Sequence, residues 1–214
     1  MNMEEVNNQV CRGWQLFVTE YQALEHPTKE QHAQAVARAK ECMAALDQAA
    51  MSNPSEYVGC TILYANCKQI MRSAKSLEYH TPAEEEGEWN KEKLGPFDDM
   101  KLPGQSESWD AKFDKMNDLI IQEFYNTHPD EAALRQQLEQ QLLPLEAQLG
   151  ELKDEKRSKG FFNFSEKREV KERMAPVKDE IKALRGQMGA IEDIARSYAS
   201  SRLDDLPSYL RLRF

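Results

Sequence analysis

A chain of 214 residues with 37 acidic and 28 basic side chains carries a net charge of -9, which disfavours nonspecific nucleic-acid binding by the whole molecule. Its 40% hydrophobic and 30% charged residues allow a buried core with much surface per residue, the balance found in long helices. No apolar run approaches the roughly 20 residues that cross a bilayer, and Met1 to Trp14 is polar and acidic rather than leader-like, so a cytoplasmic protein is expected.

Taken in chain order, the first elements read as helices. Val6, Val10, Trp14, Phe17, Tyr21 and Leu24 recur by three or four and predict a helix from about Glu4 to His26 with one apolar stripe. His26-Pro27 stops it, and Thr28 with Gln31 is a capping-box signal for a second helix striped by Val36, Ala39, Met43, Leu46 and Ala50. Beyond the turn at Ser52-Asn53-Pro54, Tyr57, Cys60, Tyr64, Cys67, Met71 and Ala74 predict a third helix from about Ser55 to Leu77, with a strand over Tyr57 to Tyr64 as the alternative. Short connections make the three antiparallel neighbours.

The four cysteines, Cys11, Cys42, Cys60 and Cys67, have no CxxC spacing and read as reduced, buried thiols. Counting outward from the turns places Cys11, Cys42 and Cys67 at one height. A layer of small polarizable side chains is favoured there over a thiolate metal site, because the rest of a four-ligand zinc set is not visible.

From 79 to 107 the helical pattern stops. Pro82, Gly87, Pro96, Pro103 and Gly104 punctuate an acidic stretch that reads as a long loop. Asp98-Asp99 lacks the alternating oxygen ligands and glycine of a calcium-binding loop. Periodicity returns after Ser108, a plausible cap, where Trp109, Phe113, Met116, Ile120 and Phe124 line a fourth helix expected to complete the bundle core.

Pro129 follows as a helix starter. From Glu131 to about Arg157, Leu134, Leu138, Leu142, Leu145, Leu149 and Leu152 form one stripe; after Ser165, which is placed to cap the return helix, Val170, Met174, Val177, Ile181, Leu184, Met188 and Ile191 form another. Such sustained alternation, with a helix-stopping Gly160 between the runs, predicts an antiparallel coiled-coil hairpin. Pro144 and Pro176 each lie 16 residues from Gly160, read off the numbering, and are expected to share a bend.

The fold class expected is therefore all-α, an antiparallel helical bundle followed by a long antiparallel coiled-coil hairpin. The bundle spans 1–128 with its acidic loop at 79–107, the hairpin 129–199 with its tip at 158–165, and a C-terminal tail 200–214.

Two partner-binding candidates emerge. At the tip, Phe161, Phe162 and Phe164 are ringed by Lys159, Lys167 and Arg168, with Lys156 and Arg157 beside them. The rings either fold inward to plug the hairpin or stay exposed as anchors for a protein groove, a lipid headgroup layer or, least favoured, nucleic acid. In the tail, Tyr209, Leu210, Leu212 and Phe214 switch to alternation, the pattern of an edge strand, of a segment added to a partner's sheet, or of a tail packed on its own bundle.

Catalytic signatures are missing: the histidines show neither HExxH nor the Glu-x-x-His repeat of di-iron bundles, and no GxxxxGK[ST] occurs. The expectation is a non-enzymatic protein-binding module, an adaptor, inhibitor or assembly component, with no cofactor and no resident metal. A peripheral membrane-associated protein inserting its Phe tip is the alternative, and a nucleic-acid-binding or metal-dependent helical-bundle enzyme ranks below both. Exposed coiled-coil seams commonly pair with copies of themselves, which allows a homodimer, and pairing of the two arms within one molecule makes it optional.

Overall fold

The computed structural model describes residues 2–82, 89–92, 107–159 and 163–204, and these form six helices and one two-stranded sheet, an all-α fold. The chain divides into two compact units, one holding the residues up to Ile120 and the other Ile121–Ser200.

The first unit contains α1 (Met3–Gln22), α2 (Lys29–Met51) and α3 (Tyr57–Ser76). Thr28 closes the expected capping box, with Gln31 N–H donating to Thr28 Oγ1 at 3.3 Å and Thr28 N–H to Gln31 Oε1 at 2.8 Å. The Tyr57–Tyr64 stretch is helical throughout, because its apolar period continues to Ile70 and Met71 on the buried face. α1 ends at Gln22 rather than His26, and Leu24, expected in its stripe, is 40% exposed. The chain needs those four residues to turn before Pro27, which bars its predecessor from helical geometry.

Contacts along α3 give the directions. Asn66 meets Asn7 while Cys60 and Cys67 reach Ala50 and Met43, and Leu77 meets His32. α2 therefore runs against both α1 and α3. Its buried face is Ala35, Ala39, Met43, Leu46 and Ala50, with Val36 only half-buried, so small residues let α2 approach its neighbours closely. Around it pack Trp14, Leu63, Cys67, Ile70 and Trp109. Each large apolar side chain buried this way contributes about 1.5–3 kcal/mol.

The expected 79–107 loop is corrected in part. Tyr79–Pro82 (β1) and Trp89–Glu92 (β2) pair antiparallel, with Tyr79 opposite Glu92 and Pro82 opposite Trp89. The proline and glycine punctuation masked this pairing, which is held by Tyr79 Oη donating to Glu92 Oε2 at 2.7 Å and Thr81 Oγ1 to Glu92 Oε1 at 3.3 Å. Residues 83–88 and 93–106 of the loop lie outside the described ones. Three further bonds tie β1 and its approach to α1, α2 and the turn between them: Tyr21 Oη to Glu78 O, the His32 imidazole to Leu77 O, and His80 N–H to Pro27 O.

Ser108 caps α4 (Trp109–Thr127) as expected, accepting from Ala111 N–H at 3.2 Å. Trp109, Phe113 and Met116 join the core of the first unit, but Phe124 does not. Phe124 stacks on His128 at 4.2 Å and meets Tyr125 and Tyr198, all within the second unit. The uniform spacing of the α4 anchors concealed this change of partners.

In the second unit, α5 (Pro129–Ser158) starts on its proline and α6 (Phe164–Asp204) returns beside it. Leu142, Leu145, Leu149 and Leu152 pack on Val170, Met174, Val177 and Ile181; Leu138 packs with Leu184, Met188 and Ile191. The ion pairs Glu155–Arg173 and Glu146–Arg185 cross between the arms, and their opposite progression shows that the arms are antiparallel. Leu134, expected in the stripe, is 47% exposed. At the start of α6 the flanking residue is Asn163, whose carbonyl accepts from Lys167 N–H, rather than Ser165.

Both internal prolines sit within continuous helix, at exposed positions. The carbonyls they deprive of a partner belong to Gln140 and Glu172, themselves exposed residues within reach of water. Pro144→Ala and Pro176→Ala are each expected to raise stability by about 2 kcal/mol, the interior-proline cost less the greater freedom of the unfolded chain. Urea denaturation measures it. A loss of stability in either variant would show instead that the packing depends on a proline-shaped backbone.

Candidate functional site

The end of the α5–α6 hairpin that carries Phe164 exposes apolar surface beside charge. α5 closes with Lys159 N–H donating to Glu155 O and Ser158 Oγ donating to the same carbonyl at 2.7 Å. Lys156 and Arg157 fill its last turn, where cations favour the helix dipole. Among the described residues, the last buried layer of the arms is Leu152 with Val170.

Beyond that layer Phe164 is 69% exposed, so this ring does not plug the hairpin. The expected basic collar is present but paired. Lys159 meets Glu166 at 3.3 Å, Arg168 meets Glu172 at 3.0 Å and Arg157 meets Asp154 at 3.4 Å. Lys167 lies on the first turn of α6. Phe161 and Phe162 lie outside the described residues, as do Tyr209, Leu210, Leu212 and Phe214 of the tail. Of the sequence candidates, then, Lys159, Phe164, Lys167 and Arg168 are brought to one end of one unit.

Interleaved carboxylates give this end little net attraction for anions. Exposed pairs of this kind contribute at most about 1 kcal/mol each to stability. Beside these pairs Phe164 presents an exposed aromatic face.

The first unit holds a second polar cluster that sequence reasoning missed. Lys112 Nζ donates to Asp47 Oδ1 at 2.7 Å, with side-chain exposures of 14% and 7%. The ammonium also lies 5.0 Å from the Trp109 ring centre and 5.6 Å from that of Tyr64. Burial, and next the Asp47 charge, push the Tyr64 hydroxyl well above its ordinary pKa. Asn66 Nδ2 donates to Asn7 Oδ1 at 2.8 Å nearby in the same core. This arrangement clamps α4 to α2 and α1 to α3, and it pairs the buried Asp47 carboxylate with the Lys112 ammonium.

All four cysteines are free and buried. Burial, followed by the neighbouring Cys42, pushes the Cys11 thiol up to about 12. Burial is likewise the leading cause of the upward shifts of Cys42, Cys60 and Cys67, and Cys67 is further raised by Asp47, Cys11 and Cys42. The upward influence of Cys42 on Cys11, and of Cys11 and Cys42 on Cys67, agrees with the shared height expected for the three. Protonated thiols are poor nucleophiles and poor ligands at neutral pH. Among the described residues no three His, Cys, Asp or Glu side chains are arranged to share a metal ion.

The remaining feature without a sequence signal is a ring stack: His26 lies on Trp89 at 4.5 Å and meets the edge of His80 at 5.2 Å. Nothing in the local spacing of three residues so far apart announces it. Comparison with protein-family models, curated proteins and solved structures gives no match.

Proposed function

We propose that the protein is a non-enzymatic, stoichiometric binding module of the cytoplasm, an adaptor, inhibitor or assembly component that docks a protein partner through the free end of its helical hairpin. The observation that carries this reading is the 69% exposure of Phe164 amid Lys159–Glu166 and Arg168–Glu172 pairs. An exposed aromatic within a rim of satisfied charge has the composition of a protein-binding hot spot. The two arms satisfy each other's apolar stripes, so the finger needs no partner to hold it together. Free, buried thiols agree with a reducing compartment.

Insertion into a membrane is the second reading, and the pairing of the collar with carboxylates weighs against it. Affinity capture from the native host with the full chain and with a Phe161→Ser, Phe162→Ser, Phe164→Ser variant tests the proposal. A partner retained by the parent and lost by the variant, with helicity unchanged by circular dichroism, is the expected result. Unchanged capture by the variant would refute the tip as the site. Co-sedimentation with anionic vesicles is expected to be absent at low salt; binding that weakens as salt rises would favour the membrane instead.

A further inference from the structure

We infer that one flank of the α5–α6 hairpin, marked by Lys153, Lys171, Lys178 and Lys182, docks an acidic amphipathic helix of a protein partner. The buried seam of α6 places the row. Val170, Val177 and Leu184 are each followed directly by a cation, Lys171, Lys178 and Arg185. These three therefore recur every seventh residue along one edge of the seam, about 10 Å apart. Lys182, four residues beyond Lys178 and so on the same side, widens the row.

The contact between Arg185 and Glu146, 2.6 Å, fixes the register across the arms. One heptad nearer the tip on each antiparallel arm, Lys153 comes opposite Lys178. One layer thus matches a carboxylate with a cation, and the next places a cation on both arms. Like charges at such positions weaken the pairing of two helices and suit an anionic partner from outside. All four lysines are exposed, and among the described residues none of them meets a carboxylate, whereas Lys159, Arg168, Arg173 and Arg185 each do.

An apolar anchor lies on the same side. Leu143, three residues before Glu146 and hence its neighbour on α5, is 67% exposed and belongs to neither packed cluster of the arms. A leucine beside a row of cations complements a helix whose apolar stripe is edged by carboxylates. Spacing selects that partner over nucleic acid: phosphates follow one another every 3.4 Å or about that along a strand, so a cation every 10 Å or so leaves most of them unpaired. Phe164 stands one heptad beyond Lys171 in the same row, but the charge of the flank does not depend on that ring.

Fluorescence anisotropy of a labelled helical peptide, with glutamates at every seventh position beside a leucine stripe, tests this when the full chain is titrated at low salt. The parent is expected to bind it, and more weakly as salt rises. The triple variant Lys171→Gln, Lys178→Gln, Lys182→Gln should weaken binding about tenfold or more. Arg12→Gln, Lys29→Gln, Lys115→Gln, which removes as much charge from the first unit, should stay within about twofold of the parent, as should Phe164→Ser, whose effect belongs to the hairpin end. No binding by the parent, equal losses in the two triple variants, or binding abolished by Phe164→Ser alone overturns the proposal. Tighter binding of a single-stranded oligonucleotide or of anionic vesicles than of the peptide overturns it too. Lys178→Glu supplies a second readout, since it sets opposite charges across the arms with Lys153: Tm should rise while peptide binding falls. A Tm that does not rise would remove the like-charge layer, and the inference with it.

Discussion

Asp47→Ala is expected to lower the unfolding free energy by about 3–5 kcal/mol, because the substitution leaves the Lys112 ammonium in the core without its carboxylate. Lys112 has 14% of its side chain exposed, and its remaining company is the faces of Trp109 and Tyr64, which attract a cation but do not accept its protons as a carboxylate does. The pair itself is a different matter. Removing both charges with Asp47→Leu and Lys112→Met is expected to be near neutral, since the desolvation of both ions disappears along with their attraction. Urea denaturation followed by tryptophan fluorescence separates the two. A single variant costing under about 1 kcal/mol would mean that water reaches Lys112 and that the clamp between α2 and α4 is not buried in any energetic sense.

That clamp also marks where sequence reading stops. Periodicity located every helix among the described residues, because the expulsion of Trp14, Met43, Ile70 or Val177 from water leaves a spacing that can be counted. Asp47 and Lys112 sit on ordinary charged positions in that count. Their burial follows from the arrival of α4 beside α2, 65 residues along the chain. Phe124 shows the same limit from the apolar side: it has the spacing of a first-unit anchor and packs instead with His128 and Tyr198. Periodicity states that a face is buried and leaves open against what.

The hairpin end was legible in composition, since three phenylalanines among cations stand out in any acidic chain. Its pairing was not. Glu166 and Glu172 neutralise Lys159 and Arg168 through one contact across the arms and one along a helix turn, and only the first requires the fold. The β1–β2 pair was hidden for a different reason: Tyr79–Pro82 and Trp89–Glu92 are four residues each, too short a run for alternation to register beside the acidic residues between them. His26, His80 and Trp89 lie far apart in the sequence, and their ring contacts depend on that pairing.

The thiol layer should make the protein alkali-sensitive. A Cys11 thiol raised from 9.0 to about 12 is protonated in the folded state across a range where the unfolded chain has already lost its proton. Folding then requires proton uptake, so the contribution of the group is complete below pH 9 and declines as pH rises toward 12. The slope is about 1.4 kcal/mol per pH unit for one such thiol, and Cys11 alone reaches about 4 kcal/mol at the top of the window. Cys42, Cys60 and Cys67 shift in the same direction from the same value, and Tyr64 adds to them from 10.0 upward. Urea midpoints measured under reducing conditions from pH 8 to pH 11 should therefore fall steeply above pH 9, and Cys11→Ala should flatten the fall while lowering stability at pH 8. A profile flat to pH 11 would mean that the thiols ionise in place and that the layer joining Cys11, Cys42 and Cys67 admits water.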